Sequence, residues 1–268
     1  MSTLAEINAS LQKLKPTNQF QTLTQEWINV ATEGLDPTPP PVTETRACYV
    51  TTQPTDAALL ALLPTLKAAS YNTVKCPAGY TSSLAWMAAN GMTGWVSPAT
   101  WQAGGGWDQS QAQIVSAMQA AWKACPGCVA YLADEPAVGN TSFASQILAM
   151  QAALAAAVPG LKSMIAYFDA DSVEIYKGIN LVAADIYVNK FSFNYQLVTE
   201  LGEACVAAGI PFTSVIAIAS DTTPLPTPAQ VSTWAATAKA AGSDGFCVYA
   251  WGLGAEQAQY VAAVQALP

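Results

Sequence analysis

The sequence predicts an α/β protein: a (β/α)8 TIM barrel preceded by a short N-terminal helical arm and a Pro-rich linker. Three observations predict it. From residue 47 onward, eight short apolar runs alternate with eight segments of helical character, in about 225 residues, close to the usual barrel size. The strand runs are continuously apolar rather than alternating, as expected of strands buried on both faces. The turn after the first strand reads Thr51-Thr52-Gln53-Pro54. It lacks the Gly-rich phosphate turn that the competing open, doubly wound sheet would favour.

Residues 1–43 stand apart as a first unit, and residues 44–268 form the barrel. Leu4, Ile7, Leu11 and Leu14 follow a 3-4-3 spacing, an apolar helical seam that Pro16 ends. A second helical segment, 24–32, carries Trp27 and Val30, and Asp36-Pro37-Thr38-Pro39-Pro40-Pro41-Val42 is a stiff extended linker. The seam serves either docking and oligomerisation or packing on the domain's own surface. Two heptads alone are marginal as an independent coiled coil.

Strand and helix then follow in order: strand 47–51 with helix 55–70, strand 73–76 with helix 82–90, and strand 93–96. The second helix is closed by Gly91. After the third strand comes a long loop with Trp101, three successive glycines and Trp107, and Asp108 is expected to cap the helix running to Lys123. The fourth strand is 129–133 with helix 142–157, and the fifth is 162–167 with a short helix 171–177. The sixth is 181–187 with helix 193–208. The seventh, 212–217, leads through a Pro-rich loop to a helix ending at Ala241, and the eighth, 245–251, leads to a final helix 255–266.

Composition narrows the function. The chain of 268 residues is 52% hydrophobic and 10% charged, with a net charge of −8, so it buries a large core and lacks the basic face of a nucleic-acid binder. No apolar run approaches the ~18 residues of a membrane span, so no membrane insertion is expected. The first residues lack a basic region followed by an apolar one, so the expectation is synthesis in the cytoplasm without a Sec signal. There is no histidine, which removes Ser-His-Asp and Cys-His triads and His-ligated metal sites. No cofactor or metal is expected. Cys48, Cys76, Cys128 and Cys247 lie in apolar runs and read as small buried hydrophobes. Cys125-Pro126-Gly127-Cys128 reads as a turn, with or without a local disulfide.

Active sites of such barrels lie at the carboxyl ends of the strands. Those ends present Lys75, Trp95, Asp134, Glu135, Asp169, Asp185, Tyr187, Asp221, Tyr249 and Trp251. Acids and aromatics without histidine suit sugar chemistry: carboxylates supply general acid and base or nucleophile, and flat rings stack on pyranose faces. Lys75 is also a candidate for Schiff-base chemistry, though no phosphate-binding Gly loop accompanies it. Asp185, within an apolar run, serves the site or a structural hydrogen-bond network. Trp107 is either a sugar platform or a ring folded over the barrel rim. Asp169 reads as a helix cap rather than as a catalyst.

Tyr131-Leu132-Ala133-Asp134-Glu135-Pro136 resembles the strand-4 motif of glycoside hydrolases with the (β/α)8 fold, a large clan marked by Asn-Glu-Pro, here as Asp-Glu-Pro. Asp185-Ile186-Tyr187 is similar to the Asp-x-Tyr that ends strand 6 in such barrels. The run from Gly245 through Trp251 is similar to their strand 8, where the Trp floors the sugar site. The resemblance covers roughly residues 45–267 and implies Glu135 as general acid and Asp134 as a substrate contact. It departs at strand 7, where the clan's nucleophilic Glu is replaced by a run ending in Asp221. Either Asp221 serves in its place on a longer strand, or Asp185 or Asp169 stands as the base of an inverting pair, whose carboxyls lie roughly 6.5–9.5 Å apart.

The expected function is a glycoside-hydrolase-like barrel acting on or recognising a polysaccharide. Glu135 and Asp185 are its catalytic candidates, and Asp134, Tyr187, Trp251, Trp95, Trp107 and Asp169 its substrate contacts. The alternative is a glycan-binding structural protein without hydrolysis. A phage virion or tail component, docked into an oligomer or larger assembly through residues 1–43, is one form of it.

Overall fold

The computed structural model describes residues 44–50, 55–102, 104–137, 140–167, 169–186, 188, 192–217 and 226–251. The arm and linker of residues 1–43, Tyr187, Asp221 and the final helix lie outside the described residues.

Strands and helices alternate as β1 (Thr45–Val50), α1 (Asp56–Ala68), β2 (Thr73–Pro77), α2 (Thr81–Ala89), β3 (Thr93–Ser97), α3 (Gln111–Ala124), β4 (Val129–Ala133) and α4 (Thr141–Ala157). They continue as β5 (Lys162–Tyr167), α5 (Asp171–Ile175), β6 (Leu181–Ala184), α6 (Gln196–Ala208), β7 (Phe212–Ala217), α7 (Pro228–Ala240) and β8 (Gly245–Trp251). All neighbouring strands pair in parallel, and β8 returns to β1, so the sheet closes into the expected eight-stranded barrel. Among the described residues no helix is long and apolar enough to cross a membrane.

Strand parity sorts the side chains into two cores. Ala47, Trp95, Tyr131, Met164, Ala166, Ala183, Val215, Ala217 and Cys247 fill the barrel interior. Their neighbours Cys48, Val96, Ala130, Ile165, Val182, Ile216 and Val248 face the helices, with leucines such as Leu59, Leu63 and Leu66 of α1. Where β8 meets β1 the backbones come close. A Cβ on Gly245 would lie 2.6 Å from Thr45 Cβ, nearer than any real contact, so only glycine allows closure there.

Three expectations need correction. The helix after the Gly-rich loop is capped by Ser110 rather than Asp108, through a reciprocal capping box with Gln113. Asp108 instead accepts from the Thr100 N–H at 2.9 Å and closes the loop. β6 ends at Ala184 rather than at residue 187, because the Ile186 and Val188 amides turn back on Ala184 and Ile186. α6 starts at Gln196 rather than at 193, because Ser192 and Phe193 hold positive φ angles of 52° and 58°. The Cys125–Cys128 segment is a turn with free thiols, its Cys128 N–H donating to the Cys125 carbonyl at 3.1 Å.

Candidate functional site

The site is set by one irregularity in β4. Tyr131 pairs with Met164 of β5, and Ala133 with Ile165, so two steps on β4 match one on β5. Leu132 is the extra residue of a β-bulge, which re-aims the side chains after it. Regular alternation from an inward Tyr131 would point Ala133 and Glu135 into the barrel. Instead Leu132 and Ala133 both face the helices. The phase slips by one, and Asp134 is the acid that reaches the interior rim.

Asp134 has two partners there. The Tyr131 hydroxyl donates to its Oδ1 at 2.6 Å. Lys75 Nζ lies 3.6 Å from its Oδ2. The Lys75 ammonium also donates to the Tyr49 hydroxyl and lies 3.8 Å and 4.0 Å from the ring centroids of Tyr49 and Tyr131, within cation–π range. Tyr49 pairs in register with Lys75 on one side and Tyr249 on the other. Its ring meets those of Tyr131 and Tyr249 edge to face, at 5.8 Å and 5.5 Å. The lysine is 17% exposed and Asp134 56%, so the carboxylate stands toward solvent and the amine at the base.

Burial lowers the Lys75 pKa from its ordinary value, and Asp134 works against that. Burial, followed by the Asp134 charge, holds the Tyr49 hydroxyl well above its ordinary pKa; for Tyr131 burial comes first, then Tyr49 and Asp134. Both phenols are therefore protonated donors at neutral pH.

Above this cluster opens a cleft of about 580 Å³, bounded by Tyr49, Lys75, Asp134, Tyr249, Tyr80 and Ser97 among others. The carboxyl ends of β1, β2 and β3 and the loop after β3 shape it, which is where a barrel of this kind binds ligands. Neutral hydroxyl donors, aromatic faces and one exposed carboxylate suit a hydroxylated ligand.

The other expected residues fall in different places. Glu135 is exposed on the rim with a φ of 42°, its N–H donating to the Ala166 carbonyl at 3.1 Å. It is not among the described residues that line the cleft. Asp185 is buried, at 7% exposure, and continues the inward parity of Leu181 and Ala183. Its charge is felt by Tyr49, Tyr131 and Lys75, so it belongs to the same interior polar cluster. Asp169 spends both carboxylate oxygens on Ser172, accepting from its N–H at 2.7 Å and its hydroxyl at 3.0 Å. It fixes the start of α5.

Trp95 is buried in the interior and borders a separate cavity of about 370 Å³ at the amino ends of the strands, with Thr45, Thr73 and Lys162. Trp107 is folded onto the rim: its Nε1–H donates to the Leu132 carbonyl at 2.8 Å, and its ring meets Trp101 edge to face at 4.9 Å. The bulge thus frees a carbonyl and the loop tryptophan takes it. Trp251 is the last residue of β8.

The tyrosines Tyr49 and Tyr131 were not singled out by sequence reasoning. The signal that could have found them is shared parity: Tyr49, Lys75, Tyr131 and Tyr249 occupy inward positions on four strands.

No protein-family profile matches the sequence, and no curated protein does. Solved structures do match. An endo-1,4-beta-mannanase from Rhizomucor miehei aligns with a TM-score of 0.61 at 11% identity, over 84% of this chain and 94% of that one. A beta-D-glucuronidase from Dictyoglomus thermophilum aligns with a TM-score of 0.56 at 12% identity, over 77% of this chain and 43% of that one. An endo-beta-1,4-mannanase from Thermotoga petrophila aligns with a TM-score of 0.54 at 9% identity, over 77% of this chain and 67% of that one. At such identities the likeness is one of fold: this chain is a closed (β/α)8 barrel of the architecture those glycoside hydrolases use.

Proposed function

We propose that the barrel acts on a polysaccharide bound in the cleft at the carboxyl ends of β1–β4. The observation that carries this reading is the β4 bulge, which turns Asp134 toward a cleft walled by Tyr49, Tyr80 and Tyr249. Rings and neutral hydroxyl donors around a carboxylate are the equipment of a sugar site. The fold shared with two mannanases and a glucuronidase is consistent with it. In this reading Asp134 contacts the bound chain, Glu135, exposed beside it but outside the cleft lining, turns onto that chain as the general acid, and Asp185 in the interior is the second carboxylate.

The test is reducing-end release from a polysaccharide panel that includes β-1,4-mannan, with wild type, Asp134→Asn and Glu135→Gln side by side. Release by wild type, cut by about 10²-fold or more in Glu135→Gln, supports hydrolysis with that acid. Release unchanged in both variants overturns the assignment.

A second reading has its own observation. The Asp134 carboxylate is engaged by Lys75 and Tyr131, and β7 contributes no carboxylate between Phe212 and Ala217. A barrel so equipped binds a glycan without cleaving it, as would suit a recognition head held in a larger assembly such as a virion through residues 1–43. Binding of a panel polysaccharide without release of reducing ends would favour it.

A further inference from the structure

We propose that Lys75 is an amine nucleophile that captures a small hydroxylated aldehyde or ketone, the open-chain form of a sugar, as an iminium at the base of the cleft. This goes beyond glycan hydrolysis and does not depend on it.

The placement argues for chemistry rather than for an ordinary ion pair. A lysine that serves only to pair with a rim carboxylate gains little, since exposed pairs contribute well under about 1 kcal/mol, and it has no need to be drawn inside. Lys75 instead rises from β2 into the barrel, 17% exposed, and borders the cleft. Two tyrosine rings lie against its Nζ, and burial favours its neutral amine over the ammonium. Desolvation of this kind is how an amine becomes nucleophilic near neutral pH. Asp134, 3.6 Å away and more than half exposed, supplies a proton acceptor that bulk water can reach.

The step balances with these groups alone. The lone pair of neutral Nζ attacks the carbonyl carbon, and the C=O π pair becomes an alkoxide. The nitrogen gives a proton to Asp134, and the alkoxide takes back through solvent the proton that the Lys75 ammonium released on becoming neutral, leaving a carbinolamine. The C–O bond then breaks as nitrogen forms C=N, and Asp134 returns its proton so that the oxygen leaves as water. The cationic iminium is left beside the faces of Tyr49 and Tyr131, which favour positive charge. No oxidant or reductant is involved.

The experiment uses the full chain with glyceraldehyde as the aldehyde probe and dihydroxyacetone as the ketone probe. Sodium cyanoborohydride is added to reduce any iminium to a stable secondary amine, and adducts are located by peptide mass mapping. Lys75 is expected to label faster than Lys67, Lys123, Lys177 and Lys239, because burial favours its neutral amine. Lys75→Arg and Lys75→Met should each lose that fast phase and keep the slow surface labelling. Asp134→Asn should move the pH profile of Lys75 labelling to lower pH, because the Asp134 charge holds the Lys75 pKa up, and should lower its plateau rate, because the proton acceptor is gone, while the other lysines stay unchanged. Wild-type protein that labels on its surface lysines while Lys75 stays unmodified with both probes overturns the proposal, whether or not the variants fold.

Discussion

At Trp107 one indole N–H ties the Gly-rich loop to the barrel, through the carbonyl that the bulge at Leu132 leaves pointing outward. Trp107→Phe keeps a ring against Trp101 and removes only the donor. It should cost about 1–2 kcal/mol, the price of an unmade hydrogen bond, read as a lower urea midpoint at unchanged slope. Glu135 tests the opposite case. Its φ of 42° is left-handed backbone, which costs an L-residue about 1–2 kcal/mol, and strain of this kind collects at functional sites. Glu135→Gly should therefore stabilise the fold by about 0.5–1 kcal/mol after glycine's own entropy cost. Glu135→Gln should not. Equal stability of the two variants would show that the backbone there is unstrained.

The elements depend on backbone approach as much as on side chains. Gly245→Ala would drive a methyl into Thr45 where β8 pairs with β1. Overpacking at a position with no free space should cost about 1–3 kcal/mol or more, seen in the urea midpoint. The strands were legible in the sequence because Val129–Ala133 or Phe212–Ala217 is apolar throughout, and a barrel buries both faces. The same property hid the bulge. Leu132 and Ala133 are both apolar, so a one-residue slip of phase leaves no trace in hydropathy, and Glu135 reads as inward when Asp134 is. The Ser110 cap was hidden by a competitor, since Asp108 is an equally good capping type and only tertiary structure gives its carboxylate to Thr100. The tyrosine and lysine wall was legible only once strands were aligned by register, because Tyr49 and Tyr131 are ordinary residues for a strand.

The whole molecule has a predictable response to alkali. Burial raises the thiols of Cys48, Cys76 and Cys247 from their ordinary value of 9.0, and the phenols of Tyr49 and Tyr131 from 10.0. Above those ordinary values the unfolded chain has released protons that the fold still holds. The stability these groups contribute is therefore whole below about pH 9 and is lost as pH rises. Lys75 acts in the other direction: its folded pKa lies below 10.5, so between the two values the unfolded chain binds more protons and stability rises with pH. The raised thiols and phenols outnumber Lys75, so the urea midpoint should fall from about pH 8 to about pH 10, and it should fall more steeply in Lys75→Met. A flat profile would mean that water reaches these groups in the fold.

In both proposed readings a glycan occupies the cleft of Tyr49, Lys75, Asp134 and Tyr249, whether or not it is cleaved there. Isothermal titration calorimetry with oligosaccharides from the panel, against wild type and Asp134→Ala, tests it most directly. Affinity for at least one of them that drops about tenfold or more in Asp134→Ala, the scale of a lost hydrogen bond to a charged group, is the predicted result. Oligosaccharide binding that is equally tight in Asp134→Ala would place the glycan elsewhere on the molecule and contradict the account.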